Sequence, residues 1–431
     1  MKYYLAIDIG ASSGRHIVGW KQDNKIQLDE VYRFPNGIKH TDEGVVWDTA
    51  EIFGHIKKGL AAAFAKYGKI ESLAIDTWGV DYVLMRGEEL SRQCFAYRND
   101  RTADDIAKVH AIVPFEKLYA RTGIQFQTFN TVYQLFDDMQ HGRLDGVTDF
   151  LMMPELFSYL LTGVKKHEYT NATTGGLVNA VSKQYDKEII DELGLPSDIF
   201  CTLDVPQTVV GVLKDDISKE VGGQTTVVLC ASHDTASAYE AVDCDENSAV
   251  LSSGTWSLIG AKIPVADTSE KSCSSNFSNE GGVGYFRYLK NIMGMWLVNE
   301  IQRKKGTPFA EIVRMAEQSN YNQTFDVNDA SLLAPDDMET AVRALLGNNQ
   351  PQNDGDLYAS IFCSLALSYK QAVETMQDNL GKTFDKIYIV GGGAKNTFLN
   401  KLTEKYSGKQ VIALPIEATT IGNLKAQMKN A

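Results

Sequence analysis

No two of the six cysteines (Cys94, Cys201, Cys230, Cys244, Cys273 and Cys363) form a C-x-x-C pair, so neither a zinc knuckle nor a secreted disulfide scaffold is encoded. The thiols are expected to be reduced. The seven histidines show no H-E-x-x-H or other ligand spacing. No apolar run approaches the ~20 residues of a membrane-spanning helix. Asp8 interrupts the N-terminal apolar stretch before a signal peptide could form. A soluble, cytoplasmic protein without a membrane partner is expected. Basic charge is also short: 42 Lys+Arg stand against 55 Asp+Glu, a net charge of −13. That balance argues against nucleic acid as a partner, which would require a basic stripe. It does not exclude a phosphorylated ligand, which backbone N–H groups can hold locally.

The two commonest nucleotide signatures are missing as well. Gly391-Gly392-Gly393 would need glycine at Asn396 to make G-x-G-x-x-G, and Gly381-Lys382-Thr383 has Met376 where a Walker loop demands glycine. What remains is an ordinary globular composition, 44% hydrophobic and 23% charged over 431 residues. That length suits two or three domains and a core large enough to fold without staples.

The chain opens on alternating strands, Tyr3 to Ile9, Arg15 to Trp20 and Ile26 to Phe34, with a glycine-bearing turn at Gly10 to Gly14. This is an antiparallel meander and not a Rossmann βαβ unit. A helix over Thr49 to Lys66, a strand over Ile70 to Asp76 and a mainly helical region from about Asp104 to Thr162 follow. The second half repeats the theme. Ala249 to Leu251 and Trp256 to Ala261 flank the small-residue turn Ser252-Ser253-Gly254-Thr255. Apolar residues from Tyr358 to Met376 recur at helical spacing and lead to a strand at Lys386 to Val390, the three glycines and a helix from Asn396. Strand, turn and strand appearing twice predict two similar α/β domains, 1–240 and 241–431.

Asp8-Ile-Gly-Ala-Ser-Ser-Gly-Arg15 sits between two strands, where small residues let backbone approach a phosphate and a carboxylate could hold Mg²⁺ through water. A hairpin satisfying its own hydrogen bonds would look the same. Ser252 to Thr255 carries the same two readings. Ser232-His233-Asp234-Thr235 follows an apolar strand, Thr225 to Ala231, and opens a helix. A carboxylate is kept ionised there and can act as a general base towards a sugar hydroxyl, or serve as an N-cap. Aromatic and polar residues gather at Thr77 to Asp81, Tyr97 to Arg101 and Lys290-Asn291, a combination suited to a polyhydroxylated ligand.

Ala6-Ile-Asp-Ile-Gly-Ala-Ser-Ser-Gly-Arg15, Ile75-Asp-Thr-Trp-Gly-Val-Asp81, Glu168-Tyr-Thr-Asn-Ala-Thr-Thr174, Ser232-His-Asp-Thr-Ala-Ser237, Leu251-Ser-Ser-Gly-Thr-Trp-Ser257, Leu289-Lys-Asn-Ile-Met-Gly294, Ile389-Val-Gly-Gly-Gly393 and Glu417-Ala-Thr-Thr-Ile-Gly422 together resemble the FGGY carbohydrate kinases, along nearly the full chain. The D-T-W-G-V-D, S-H-D-T-A-S and L-K-N-I-M-G strings are similar to the branch that phosphorylates L-rhamnulose. The resemblance implies an α/β fold of two actin-like (ribonuclease H-like) ATPase domains facing an interdomain cleft. It implies ATP-dependent transfer of a phosphoryl group to the 1-hydroxyl of L-rhamnulose, with Mg²⁺, in a monomer or homodimer.

By the same resemblance Ala11, Ser12, Ser13, Gly14, Arg15 and Thr255 grip the ATP phosphates, Gly392 borders the adenosine and Asn299 is a further ATP contact. Gly79, His233, Asp234, Thr235 and Asn291 contact the ketose. Asp234 is the catalytic base, and Asp8 holds the metal through water. Another ketose or polyol kinase, or a sugar- and ATP-binding regulator, is the alternative. The chain ends nine residues after Gly422, where such kinases continue with more helix, so weaker packing on the adenine side is expected.

Overall fold

The computed structural model describes residues 1–23, 25–333, 335–414 and 417–429. They divide into two compact units, the first formed by Met1–Ala241, Pro264–Arg287 and the segment from Thr419 onward, the second by Val242–Ile263 and Tyr288–Ala418. The chain first changes unit after Ala241. Later segments then return to the first unit, so neither unit is continuous in sequence.

In the first unit, Tyr4–Ile9 (β1) is buried along its whole length. It lies inside a six-stranded sheet, and a strand covered on both faces has no place for alternating polar residues. Ser13–Gln22 (β2) and Lys25–Pro35 (β3) form the expected antiparallel meander with it. Helix Thr49–Tyr67 (α1) is capped by Asp48, whose side chain accepts from the Glu51 amide, and it stops at Gly68 with φ of 72°. Its Ile52, Ile56, Leu60, Ala63 and Phe64 join the core that includes Leu5, Ile7 and Val18. Ser72–Thr77 (β4) then pairs in parallel with β1, placing Asp76 beside Asp8.

The region expected to be mainly helical contains helices Ile106–Ile112, Phe115–Thr122, Thr131–Gln140 and Met153–Thr162 (α2), with a short strand at Asp149–Met152. Val209–Val212 (β5) and Thr226–Val228 (β6) complete the sheet, in the order β5-β6-β4-β1-β2-β3. β6 is shorter than the strand expected at Thr225 to Ala231. The chain leaves the ladder after Val228, and helix Asp234–Ala241 (α3) begins at the carboxylate itself.

The second unit repeats the scheme. Ser248–Ser253 (β7) pairs antiparallel with Trp256–Ile263 (β8), whose other neighbour is Phe286–Met293 (β9). Helix Trp296–Lys305 (α4) follows β9, and the long helix Asp354–Leu380 (α5) buries Tyr358, Phe362, Leu365, Tyr369 and Met376 along one stripe. Lys386–Val390 (β10) pairs in parallel with β7, and Gln410–Ala413 (β11) with β10. Thr397–Ser407 (α6) connects the last two strands. Each sheet is thus built on an antiparallel hairpin whose first strand also takes a parallel neighbour.

The last helix, Ala418–Met428 (α7), carries residues back onto the first sheet. Its Leu424 and Met428 pack with Tyr4 and Ala6, and its Ala426 with Ala74 and Cys230. Gly19 on β2 makes room for it, since a Cβ there would lie 2.3 Å from Leu424 Cδ1.

Candidate active site

Three carboxylates gather in the first unit where strands end and helices begin. Asp8 and Asp76 are register partners on the adjacent parallel strands β1 and β4. Asp234 starts α3, reached through a bridge between Thr77 and His233 and a hydrogen bond from the Thr77 amide to the Ser232 carbonyl (2.9 Å). Burial raises the pKa of Asp8, and the nearby charge of Asp234 raises it further, against the Arg15 guanidinium bonded to its Oδ2 at 2.5 Å. Asp76 is pushed well above the usual carboxylate range, first by burial and then by Asp8. Asp234 keeps 34% of its side chain exposed, and its Oδ1 accepts from the Thr235 amide and hydroxyl. Thr235 does not engage the other oxygen, Oδ2.

His233 lies between two charged neighbours. Its Nε2 is 3.4 Å from Asp234 Oδ1, and its Nδ1 is 3.1 Å from Arg287 Nη1. The same Nδ1 lies 3.3 Å from Glu280 Oε2, so that edge of the ring faces a guanidinium and a carboxylate while Nε2 faces Asp234. Arg287 is fully buried and is held by Glu280 Oε2 at 2.9 Å and by the Gly281 carbonyl. Glu168 fixes the other side of the turn. Its Oε2 accepts from the Ser232 amide and hydroxyl and from the Asn171 amide, while Asn171 Nδ2 donates to the Trp78 and Ser232 carbonyls. The 77–79 and 232–235 segments are therefore tied together by a Glu-Asn bracket.

Gly79 sits against Thr174, whose Oγ1 would be 2.8 Å from an added Cβ. The next residue, Val80, has φ of 66°, a strained value for a β-branched residue. Its amide accepts no slack: it donates to Thr174 Oγ1, and its carbonyl takes bonds from Thr131 and Gln134. Trp78 and Asp81 differ from the sugar-facing role expected of them. Both are buried, and Asp81 Oδ2 accepts from the indoles of Trp47 (2.7 Å) and Trp78 (2.9 Å). Burial pushes the Asp81 carboxyl up to about 6 despite these donors. Arg101 is likewise committed to Asp137 and Asp138.

The first glycine turn keeps Ala11 and Ser13 half-buried and Ser12 exposed, braced by Asn36, whose amide donates to the Ser12 carbonyl and whose Nδ2 donates to the Gly10 carbonyl. Gly14 is required by packing, since a Cβ would meet the Phe34 ring at 2.1 Å. In the second unit, the Met295 and Trp296 amides donate to the Gly254 and Thr255 carbonyls, so α4 starts against the Thr255 turn. Gly294 permits this approach, its Cβ position being 2.8 Å from the Gly254 carbonyl oxygen. Asn299 is exposed one turn into α4, and Asn291 is half-buried on β9. Of the three glycines after β10, Gly391 and Gly393 are demanded by Ser253, which an added Cβ would meet at 2.8 and 2.0 Å. Only Gly392 faces open space.

Asp76, Asn171, Glu168, Glu280 and Arg287 shape the Asp234 turn but were not among the expected site residues. Glu168 and Asp76 lie inside motifs already noticed; Arg287 and Glu280 carry no pattern that the chain displays locally. Asp8, Asp76 and Asp234 could hold a hard divalent cation such as Mg²⁺ only through intervening water, since their oxygens do not close within 4.8 Å of one another. All donors are oxygen, their mutual repulsion calls for a counter-charge, and Asp76 Oδ1 is buried without a hydrogen-bond partner among the described residues.

Residues 3–239 match the N-terminal domain of the FGGY family of carbohydrate kinases, and residues 249–431 its C-terminal domain. A rhamnulokinase of Oceanobacillus iheyensis is 42% identical, covering 98% of this chain and 92% of the relative. Another from Halalkalibacterium halodurans is 43% identical over 99% and 93%. Among solved structures, a ligand-bound xylulose kinase from Lactobacillus acidophilus superposes with a TM-score of 0.85 at 15% identity, covering all of this chain and 89% of that one. A Plasmodium falciparum glycerol kinase with ADP gives 0.76 at 14% identity, covering 99% and 89%. The chain belongs to the FGGY family of carbohydrate kinases.

Proposed function

We propose that this protein phosphorylates L-rhamnulose at its 1-hydroxyl with ATP, releasing ADP and L-rhamnulose 1-phosphate as a step of L-rhamnose catabolism in the cytoplasm. One observation carries the mechanism. Asp234 opens α3 partly exposed, with Oδ1 fixed by Thr235, beside His233, whose Nε2 lies 3.4 Å from the same carboxylate. The similarity to rhamnulokinases over nearly the whole chain supports the choice of sugar.

Asp234 Oδ2 accepts the proton of the 1-hydroxyl as that oxygen attacks the γ-phosphorus in line. Thr235 keeps the carboxylate in one rotamer, so the base needs no rearrangement before reaction. His233 contacts the sugar through Nε2, and Gly79 contacts it through its backbone, its Cβ position being filled by Thr174. The amides of Ala11 to Gly14 with Arg15, and the Thr255 turn, take the phosphates, while Gly392 borders the adenosine and Asn299 gives a further contact. Asn291 reads another sugar hydroxyl. Asp8, acting through water, with Asp76 and Asp234 would hold Mg²⁺. When bound, the ion supplies the charge that offsets the triphosphate.

ADP release measured with and without L-rhamnulose tests this reading. Strong stimulation is expected, with a smaller response to ribulose, fuculose and xylulose. Stronger turnover of another ketose would move the assignment to that sugar, and no stimulation by any of them would overturn the kinase reading.

A further inference from the structure

Away from the Asp234 turn, three side chains with metal-binding chemistry converge in the first unit. Asp149 opens the strand Asp149–Met152, and His167 opens the two-residue strand His167–Glu168. His167 is the register partner of Leu203, which brings Cys201, two residues earlier, alongside. One ligand atom from each of Asp149, His167 and Cys201 lies within 4.8 Å of the other two. His167 Nε2 is 3.5 Å from Asp149 Oδ1. Two donors on one tetrahedral zinc, each at about 2.1 Å, stand roughly 3.4 Å apart, so this pair already has the required spacing.

Unmet hydrogen-bonding capacity at the same place is an independent sign. The Asp149 side chain is only 7% exposed, and its Oδ1 is buried with no hydrogen-bond partner among the described residues. Its Oδ2 faces Lys165 Nζ at 3.5 Å, and Oδ1 has His167 Nε2 at the same distance without a hydrogen bond. The Tyr185 hydroxyl, near enough to feel the charges of Glu155, Asp149 and Cys201, is also buried without a hydrogen-bond partner. Leaving such atoms unmet is costly.

The surroundings have the form of a ligand-orienting shell. His167 Nδ1 is 3.4 Å from Glu155 Oε2. Glu155 is itself fixed, since its oxygens accept from the Met152 and Glu168 amides. His167 Nδ1 makes no hydrogen bond among the described residues, so Glu155 stands behind the imidazole as a nearby carboxylate that does not yet grip it. Cys201 is exposed, which leaves an entry path for the ion.

We infer that Asp149 Oδ1, His167 Nε2 and Cys201 Sγ form a binding site for a zinc-type divalent cation, with water in the fourth position. A mixed thiolate, imidazole and carboxylate set selects zinc over magnesium or calcium. Binding sends the Cys201 thiol proton, and any proton on His167, to solvent. The ion clips the loop carrying Cys201 onto the strands carrying His167 and Asp149. The competing state is a buried ion pair. Burial works against a charged His167, but Cys201, Glu155 and Asp149 push its pKa up to about 10.

The test uses the full chain, stripped with a chelator and titrated with zinc chloride against a chromophoric competitor, with Mg²⁺ present to occupy the oxygen site. One zinc per chain is expected, with a zinc-dependent rise in the unfolding temperature. Cys201→Ser should weaken zinc by at least about tenfold, the scale seen even for outer-sphere losses, and abolish the temperature rise. Cobalt substitution should give a thiolate charge-transfer band in the native chain and none in Cys201→Ser. Because Cys201 is exposed, that variant should fold and turn over ketose normally. Absence of stoichiometric zinc, or zinc binding that Cys201→Ser leaves unchanged, overturns the site in favour of the ion pair.

Discussion

Asn423 donates a hydrogen bond from Nδ2 to Oδ2 of Asp76 at 2.6 Å, across 347 positions of sequence. The same amide reaches the Ala74 carbonyl, and Gln427 one turn on bonds the Leu5 carbonyl and the Asn423 side chain. The last helix thus reaches the end of the strand that carries one of the three clustered carboxylates. That helix therefore joins the first sheet by polar contacts as well as by Leu424 and Met428.

Removing that donor by Asn423→Leu should destabilise the fold by about 1–3 kcal/mol, the usual cost of a buried polar group left unmet. The loss should depend on pH. Asp76 has a raised pKa, so its favourable contribution is present at low pH and lost as pH rises through the folded value, while Asn423 favours the ionised form. The penalty should therefore be larger at pH 8 than at pH 5 in Mg²⁺-free denaturant unfolding. An equal or reversed difference would count against a charged Asp76.

Asp234→Asn keeps the shape and a Thr235 contact but cannot accept a proton. Turnover should fall by ~10² or more, a general-base-sized loss, with nucleotide binding nearly intact by calorimetry. Near-normal turnover would remove Asp234 from the role of base.

His16 is fully buried on β2, and burial lowers its pKa from 6.5 to about 3. The folded value lies below the unfolded one, so the stability it contributes is present above pH 6.5 and is lost progressively as pH falls towards 3. His16→Phe should flatten this acid limb of the stability curve. Parallel limbs for the two proteins would show that other groups govern acid unfolding.

Gly422→Ala should be among the most damaging small substitutions. A Cβ there would lie 1.8 Å from the Ser237 carbonyl oxygen, a backbone atom on α3 that cannot rotate away. A loss of about 3 kcal/mol is expected, the upper end for overpacking, together with lower turnover because α3 begins at Asp234. At Gly54, inside α1, an added Cβ meets open space, so Gly54→Ala should be neutral or stabilising. Comparable melting temperatures for the two variants would contradict the packing argument.

Much of the fold is legible in the sequence. The meander shows because β2 and β3 have a partly exposed face, which leaves a period of two in the sequence. The stripe on α5 shows because its second half buries one side, at Tyr369, Ala372, Val373 and Met376, while residues 357–366 are buried all round. β6 was overextended because its apolar run continues past Val228 into an irregular buried segment, and apolar composition alone does not distinguish the two. Trp78 and Asp81 looked like ligand groups because sequence does not say which side of a turn faces in. Gly391 and Gly393 looked like a ligand platform when their neighbour is Ser253.

The sequence by itself determined the repeated strand-turn-strand units, the Asp8 turn and the Asp234 helix start, all of which rest on interactions between residues close in the chain. Tertiary structure alone decided that Asp76 stands beside Asp8, that Arg287 and Glu280 meet His233 and that Asn423 reaches Asp76. Those contacts depend on which strands become neighbours and where a distant helix docks. Burial then turns proximity into altered acidity, and no local pattern of residues carries that information.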